Sequence, residues 1–139
     1  MSTNAAKLDQ QLCFSLYSAS SRLTAIYRPI LKPLGLTYPQ FVVMMALWQQ
    51  DKVSITELAV QANLTKATMT PLLKKLVDKS LIKLVRVVGN DRQKSVELTL
   101  SGKRLSEKSI KAAEMAFCAT GLTMDEAKTI MLLCNKIAR

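Results

Sequence analysis

The sequence contains no histidine, and this absence excludes several kinds of chemistry. Of its 139 residues 0 are His, so Ser-His and Cys-His hydrolase mechanisms would lack their general base. The 3 Cys include no close pair of the kind that holds zinc, and an odd number without a secretory signal is unlike a disulfide framework. We therefore expect no metal, no other cofactor and no enzymatic activity.

Chain breakers and long apolar runs are also scarce. Only 4 Gly and 4 Pro interrupt a chain that is 49% hydrophobic, which favours a helix-rich globular fold of one domain. No apolar run approaches the ~20 residues that span a bilayer. The N-terminal stretch lacks the basic and apolar segments of a secretory signal. These absences predict a cytoplasmic protein without a membrane partner.

Acidic residues are half as many as basic ones. The 20 Lys and Arg against 10 Asp and Glu give a net charge of +10, which favours a nucleic acid as partner. The excess is concentrated, because the segment from Ser54 to Arg104 holds ten basic residues and only four acidic ones. The position of this charge favours double-stranded DNA binding over a general effect on solubility.

Capping residues and apolar spacing predict the order of elements. Helices are expected at about 7–31, 37–50, 54–62, 66–79, 101–119 and 123–137, with N-caps that include Thr37, Ser54, Thr65 and Thr123. Two β-branched runs, 82–88 and 94–100, flank the polar loop 89–93 and predict a hairpin. The fold class is therefore mostly α with a small β-hairpin wing, a winged helix-turn-helix.

The first predicted helix carries two stripes. One is apolar and is expected to be buried; it consists of Leu8, Leu12, Leu16, Leu23, Ile26 and Ile30. The second is more polar and runs through Cys13, Tyr17, Ser20, Thr24 and Tyr27. All three tyrosines of the protein, Tyr17, Tyr27 and Tyr38, lie near this helix. Because one thiol and all the phenols of the chain lie in this stretch, we interpret it as a sensing segment.

The basic segment supplies the candidate DNA contacts. A recognition helix in the major groove and a wing tip at a minor groove would use side chains near the helix start and on the hairpin. Lys74 and Lys75 suit phosphates, and Arg92 suits a narrow minor groove. The full set of candidates is Thr65, Lys66, Thr68, Thr70, Lys74, Lys75, Arg86, Arg92 and Lys94.

Three motifs resemble those of a known family. They are SITELAVQANLTKATMTPLLKKL, DRQKSVELTLSG and QLCFSLYSASSRLTAIYRPILKPLGLTYPQF. Through them the chain resembles the MarR family of winged-helix transcription regulators and, within it, the organic hydroperoxide resistance regulators. The resemblance implies a dimer in which 1–50 and 101–139 form dimerisation and sensing helices and 51–100 forms the DNA-binding region, all within the single domain 1–139.

The resemblance also implies roles for individual residues. Cys13 matches the peroxide-reactive thiol, which Tyr27 and Tyr38 would hydrogen-bond, with Tyr17 near the same pocket. Cys118 matches a resolving cysteine that forms a disulfide with the reactive cysteine of the other subunit, so the chain resembles the two-cysteine type. One departure lies in the wing: the family commonly has Asp two residues before the wing Arg, and here Asn90 stands in that place before Arg92. This leaves the orientation of Arg92 in question.

Helix geometry supports a dimer independently of the family. Cys13 and Tyr27 are fourteen residues apart, about 21 Å along one helix, and cannot touch within it. If both serve one pocket, two chains must contribute. Phenol hydroxyls that donate to a thiolate favour its charged, reactive form. Together with the family resemblance, this geometry predicts a homodimeric repressor released from operator DNA when organic hydroperoxides oxidise Cys13 to sulfenic acid.

Other functions stay open at this point. One is a MarR-type repressor released by a non-covalently bound small aromatic ligand. Another is a thiol peroxidase, although a third of the chain is committed to a winged helix and no Arg lies near Cys13 in the local motif. A third is a non-specific architectural DNA binder, for which operator and random DNA would bind with similar affinity.

Overall fold

The computed structural model describes residues 3–138, and helices dominate it. The α-helices are α1 Leu12–Leu31, α2 Tyr38–Gln49, α3 Ile55–Gln61, α4 Lys66–Asp78, α5 Leu100–Thr120 and α6 Met124–Ala138. The strands are β1 Val53–Ser54, β2 Ile82–Val87 and β3 Asn90–Leu98. Short 3-10 turns at Leu8–Gln10 and Lys32–Leu34 flank α1. This architecture confirms the expected fold class, mostly helical with a small antiparallel wing.

Helix α2 forms the centre of the core, as its nearly continuous apolar sequence predicted. Phe41, Met44 and Leu47 are fully buried. A capping box starts the helix: Oγ1 of Thr37 accepts from the Gln40 N–H at 3.4 Å, and Oε1 of Gln40 accepts from the Thr37 N–H at 3.1 Å. One face of α4 joins the same cluster through Met69, Leu73 and Leu76. Helix α4 is therefore fixed by burial against α2.

The sheet has three antiparallel strands in the order β1-β3-β2. Strand β3 is central, and its Val96 lies opposite both Val53 of β1 and Leu84 of β2. The sequence did not predict β1, because two residues are too few to show an alternating pattern. This short strand ties the start of the helix-turn-helix to the base of the wing.

The polar segment 89–93, predicted as a loop, is mostly strand. The turn is only Val88 and Gly89, with Gly89 at φ 86°, and β3 begins at Asn90. A register shift between Arg86 and Val87 leaves residues 91–93 of β3 without counterparts on β2. The prediction failed because both faces of the wing tip are solvated there, so a strand has no apolar alternation to show.

The wing joins α5 through a tight contact around Gly102. Helix α5 starts at Leu100 and its N-cap is Thr99, whose Oγ1 accepts from the Gly102 N–H at 3.1 Å, so the predicted start at Ser101 was late. The carbonyl of Gly102 accepts a hydrogen bond from Nε1 of Trp48 at 2.8 Å. A Cβ at position 102 would lie 2.1 Å from the Leu81 carbonyl oxygen. Only glycine allows this approach.

The predicted buried stripe of α1 is wrong for the single chain. Leu16, Ile26 and Ile30 are half-buried, and Leu8, Leu12 and Leu23 are exposed. The one fully buried residue of α1 is Leu31. The helical period identified an apolar face correctly, but within one chain no element covers the first half of that face.

The helices do not individually match the thickness and polarity of a bilayer. Within 3–138 no single helix is both long and apolar enough to cross one. Helix α1 with its following turn and α2 satisfy the length and composition only as a pair bent by 71°.

The division of the chain at residues 50 and 100 into sensing and DNA-binding parts stays a prediction.

Candidate functional site

Two tyrosines meet where α1 and α2 pack together. The ring centroids of Tyr27 and Tyr38 lie 5.1 Å apart, and the Tyr27 ring also packs on Phe41 at 5.6 Å. Thr37 caps α2 and so fixes Tyr38 as the first residue of that helix. Burial, and secondarily the neighbouring Tyr38, raises the pKa of the Tyr27 phenol above its ordinary value. Tyr27 therefore keeps its proton and can act as a hydrogen-bond donor.

Cys13 and Tyr17 lie at the opposite end of α1. Both are exposed, Tyr17 with 70% of its surface. Since Cys13 is fourteen residues from Tyr27 in one continuous helix, their separation is about 21 Å. Within one chain the structure thus brings Tyr27 and Tyr38 together but leaves Cys13 and Tyr17 apart from them.

The two remaining cysteines differ in their surroundings. Cys118 is exposed near the C-terminal end of α5, whereas Cys134 is half-buried on α6. Cys134 lines an apolar cleft of about 610 Å³ between α1, the end of α5 and α6. In the part of the chain that the structure describes, no group of three or more Cys, Asp or Glu could hold a metal ion.

A basic cleft beside the tyrosine pair was not predicted. It has a volume of about 720 Å³, its lining includes Tyr38, Arg28, Lys32 and Lys79, and none of the residues that line it is acidic. Such a cleft can accept an anionic group. Because residues from α1, α2 and the end of α4 line the cleft, no local sequence motif predicts it.

Lys79 also connects the tyrosine region to α4. It is the C-cap of α4, and its Nζ donates to the Gly35 carbonyl and, at 2.7 Å, to Oε1 of Gln40. Gln40 is only 2% exposed and belongs to the cap that precedes Tyr38. From the sequence, Lys79 was expected only to add charge to the basic segment. No sequence signal links residues that lie 39 positions apart.

The N-terminal end of α4 presents the expected polar side chains to solvent. Thr65, Lys66, Thr68 and Thr70 are all exposed. Oγ1 of Thr65 accepts from the Thr68 N–H at 3.2 Å and lies 2.9 Å from Oγ1 of Thr68. These contacts fix the helix start.

Cationic side chains lie further along α4 and on the wing. Lys74 and Lys75 are exposed further along α4. On the wing Arg86 and Lys94 are cross-strand partners, and Arg92 is exposed. Asn90 orders the residues around Arg92, because its Oδ1 accepts from the Arg92 N–H at 3.2 Å. The basic side chains thus lie on α4 and on the wing hairpin, and both elements pack on the buried core.

Comparison with known proteins gives the same architecture. A family model described as "Transcriptional regulator SarA/Rot" matches residues 25–109. The organic hydroperoxide resistance transcriptional regulator of Bacillus subtilis (strain 168) is 36% identical over 104 residues, 75% of this chain and 71% of that protein.

The chain belongs to the SarA/Rot family of MarR-like winged-helix transcriptional regulators.

Solved structures of MarR-like regulators resemble it over nearly their whole length. Reduced AbfR bound to DNA is 30% identical with a TM-score of 0.79, covering 94% of this chain and 91% of that one. BpsR of Bordetella bronchiseptica, described with a mechanism for regulation of DNA binding by 6-hydroxynicotinic acid, is 27% identical with a TM-score of 0.86, covering 94% and 100%. This chain is accordingly a DNA-binding transcriptional regulator of the MarR/SarA type.

A substitution of Lys74 tests whether α4 of this MarR-like regulator contacts phosphates. In Lys74→Gln we expect the slope of log affinity against log salt to become shallower by about 1 for each phosphate that is no longer neutralised, with a similar weakening on every duplex. Fluorescence anisotropy across a salt series measures the slope. Lys128→Gln is the matched control, because it removes the same charge from an exposed position on α6. An unaltered slope in Lys74→Gln would contradict the assignment.

Proposed function

We propose that the protein is a homodimeric repressor that organic hydroperoxides release from operator DNA through oxidation of Cys13. The observation that carries the proposal is the Tyr27–Tyr38 pair: the ring centroids lie 5.1 Å apart, and Tyr27 is about 21 Å along α1 from Cys13 of the same chain. A second chain running antiparallel would bring its own Cys13 to this pair. The B. subtilis relative is named for organic hydroperoxide resistance, in agreement with this proposal.

Uncovered apolar surface supports the dimer. On α6 no residue from Met124 to Ala138 is buried, and on α1 the side chain of Leu12 is 66% exposed. The exposed large apolar side chains of α6 are Met124, Ile130, Met131, Leu132, Leu133 and Ile137. A helix that carries such a face in a globular protein packs it against another element. A second copy of the chain supplies such an element.

The sensing step follows from thiolate chemistry. The Cys13 thiolate attacks the terminal oxygen of the hydroperoxide, so that the O–O bond breaks as an S–O bond forms. Sulfur is oxidised to sulfenic acid, and the peroxide is reduced to an alkoxide that takes up a proton to become the alcohol. Hydrogen bonds from Tyr27 and Tyr38 to the thiolate favour the charged form before the attack. Tyr27 is suited to donate, since its raised pKa keeps the phenol protonated.

Cys118 is the proposed resolving thiol. Its attack on the sulfenic acid of the partner's Cys13 forms the disulfide and releases one water molecule. A disulfide requires about 4.4–6.8 Å between the two Cα atoms, so the helices that carry these residues must approach. Cys118 is exposed and therefore available, whereas Cys134 is half-buried in an apolar cleft.

Non-reducing gel electrophoresis tests the resolving role directly. Protein treated with cumene hydroperoxide should run as a covalent dimer that dithiothreitol reverses. Cys118→Ser should lose this band, because the sulfenic acid then has no second thiol to condense with. Cys134→Ser serves as the matched control and should retain it. A dimer band that persisted in Cys118→Ser and vanished in Cys134→Ser would reverse the assignment.

A second candidate function is release by a small aromatic acid. The basic cleft of about 720 Å³ supports it, because Arg28, Lys32 and Lys79 would attract a carboxylate. The description of BpsR with 6-hydroxynicotinic acid provides a precedent in a relative. Alkylation of thiols with iodoacetamide separates the two functions. It should abolish the hydroperoxide response if Cys13 is the trigger, and it should leave release by an aromatic acid intact.

A further inference from the structure

The middle of the exposed face of α4 carries uncharged side chains, unlike the lysines that precede and follow it along the helix. Met69, Leu73 and Leu76 are buried, and on the opposite side Ala67 and Pro71 are exposed. These two residues are one helical turn apart and therefore lie next to each other. Thr70 borders them on the same side. We call Ala67, Thr70 and Pro71 the central strip; Lys66 precedes it and Lys74 follows it along the helix.

The central strip offers no free hydrogen-bond donor. Ala67 has no polar side-chain atom, and Pro71 lacks a backbone N–H. The Thr70 hydroxyl donates to the Lys66 carbonyl at 3.0 Å, so its proton is already used. What remains are apolar carbons and the lone pairs of Oγ1 of Thr70.

This chemistry selects among base pairs in the major groove. Both kinds of base pair present two acceptors there, N7 and O6 of guanine or N7 of adenine and O4 of thymine, and a surface without donors leaves them unpaired in either case. An A·T pair presents the adenine N6 amino donor and the thymine methyl group, which suit an acceptor and an apolar surface respectively. A G·C pair has the cytosine amino donor but no methyl group.

We propose that the central strip is a specificity determinant that reads A·T pairs. The thymine methyl group packs against Ala67 and the Pro71 ring, while Oγ1 of Thr70 accepts from the N6 amino group of adenine. The flanking lysines bind phosphates and give no sequence preference. This inference rests on the expectation from the sequence that α4 lies in the major groove, and it adds the base pairs that α4 selects.

The test uses duplexes selected by the intact reduced protein from a random-sequence pool. Each T·A pair is replaced in turn by U·A, which removes only the C5 methyl group, and affinity is measured at fixed salt. We expect a decrease of about three- to fivefold at one or two pairs per half-site, which corresponds to one buried methyl group. At the other pairs affinity should be unaltered.

Pro71→Ala completes the comparison. Alanine is favoured over proline inside a helix, so this variant should fold. Its affinities for thymine- and uracil-containing duplexes should differ less at the sensitive pair, because the ring is gone and only Ala67 still contacts the methyl group. Ala119→Gly, a change outside α4, is the control and should retain the difference.

Two results would overturn the proposal. One is the absence of any uracil-sensitive pair under the strip; the other is equal sensitivity in Pro71→Ala and the unsubstituted protein. If either occurs while Lys74→Gln still lowers the salt slope, α4 binds DNA and only the readout by the strip fails. If Lys74→Gln has no effect either, the placement of α4 itself is wrong.

Discussion

Serine in place of Cys13 is expected to leave DNA binding intact and to abolish release by an organic hydroperoxide. The unsubstituted protein should lose affinity by about 5–150-fold on oxidation, the range usual for coupling between two sites. In Cys13→Ser that ratio should fall to about one.

The reason lies in the chemistry of the replaced atom. A serine hydroxyl is almost entirely protonated at neutral pH and does not displace the leaving oxygen of a peroxide, whereas the thiolate does. The fold should be unaffected, because Cys13 is exposed on α1. Stability and affinity in the reduced state should therefore match those of the unsubstituted protein.

Anisotropy titrations before and after treatment with cumene hydroperoxide measure this ratio. Cys134→Ser is the matched control, since it removes a thiol from the half-buried position on α6 and should respond normally. A Cys13→Ser protein that still dissociated from DNA would place the trigger elsewhere.

The second large effect is on stability. Gly102→Ala should destabilise the protein by about 3 kcal/mol, at the upper end of what overpacking of a core costs. The added Cβ would lie 2.1 Å from the Leu81 carbonyl oxygen and 3.3 Å from Cδ2 of Leu98, so the backbone itself must shift. That shift also displaces the carbonyl that accepts the Trp48 hydrogen bond.

Urea unfolding followed by tryptophan fluorescence measures this change at one site, because the chain has 1 Trp. Protein concentration must be held fixed, since association alters apparent stability. Lys103→Ala is the control at the neighbouring exposed position and should alter stability by no more than about 0.5 kcal/mol. A Gly102→Ala protein as stable as this control would show that the backbone between the wing and α5 can shift at little cost in free energy, contrary to this prediction.

Much of the fold was predictable because its signals are local. Thr37, Ser54 and Thr65 are caps in the structure as in the sequence, since a cap depends on residues only three positions apart. The apolar sequence of α2 correctly predicted its central place. The tyrosine pair was also expected, although from family resemblance rather than from spacing.

The predictions that failed concern features that depend on contacts with residues outside the local sequence segment. A helical period shows that Leu12 and Leu23 share a face of α1, but it does not show what covers that face, and within one chain both are exposed. In the wing, Asn90 lies in a strand although its surroundings have loop composition. Neither fact is contained in a window of neighbouring residues.

The Lys79 contact has a mechanical consequence. It links the C-terminal end of α4 to the cap of α2, so a tilt of α4 with Lys79 as the pivot would move the N-terminal end most. From Lys79 to Lys66 the helix extends about 20 Å, and a tilt of about 5° at the pivot displaces the far end by about 2 Å. Hydrogen bonds to DNA are made within about 0.5 Å of their preferred length. If α4 contacts DNA as the sequence predicts, a rotation too small to disturb the buried core would be enough to break those contacts.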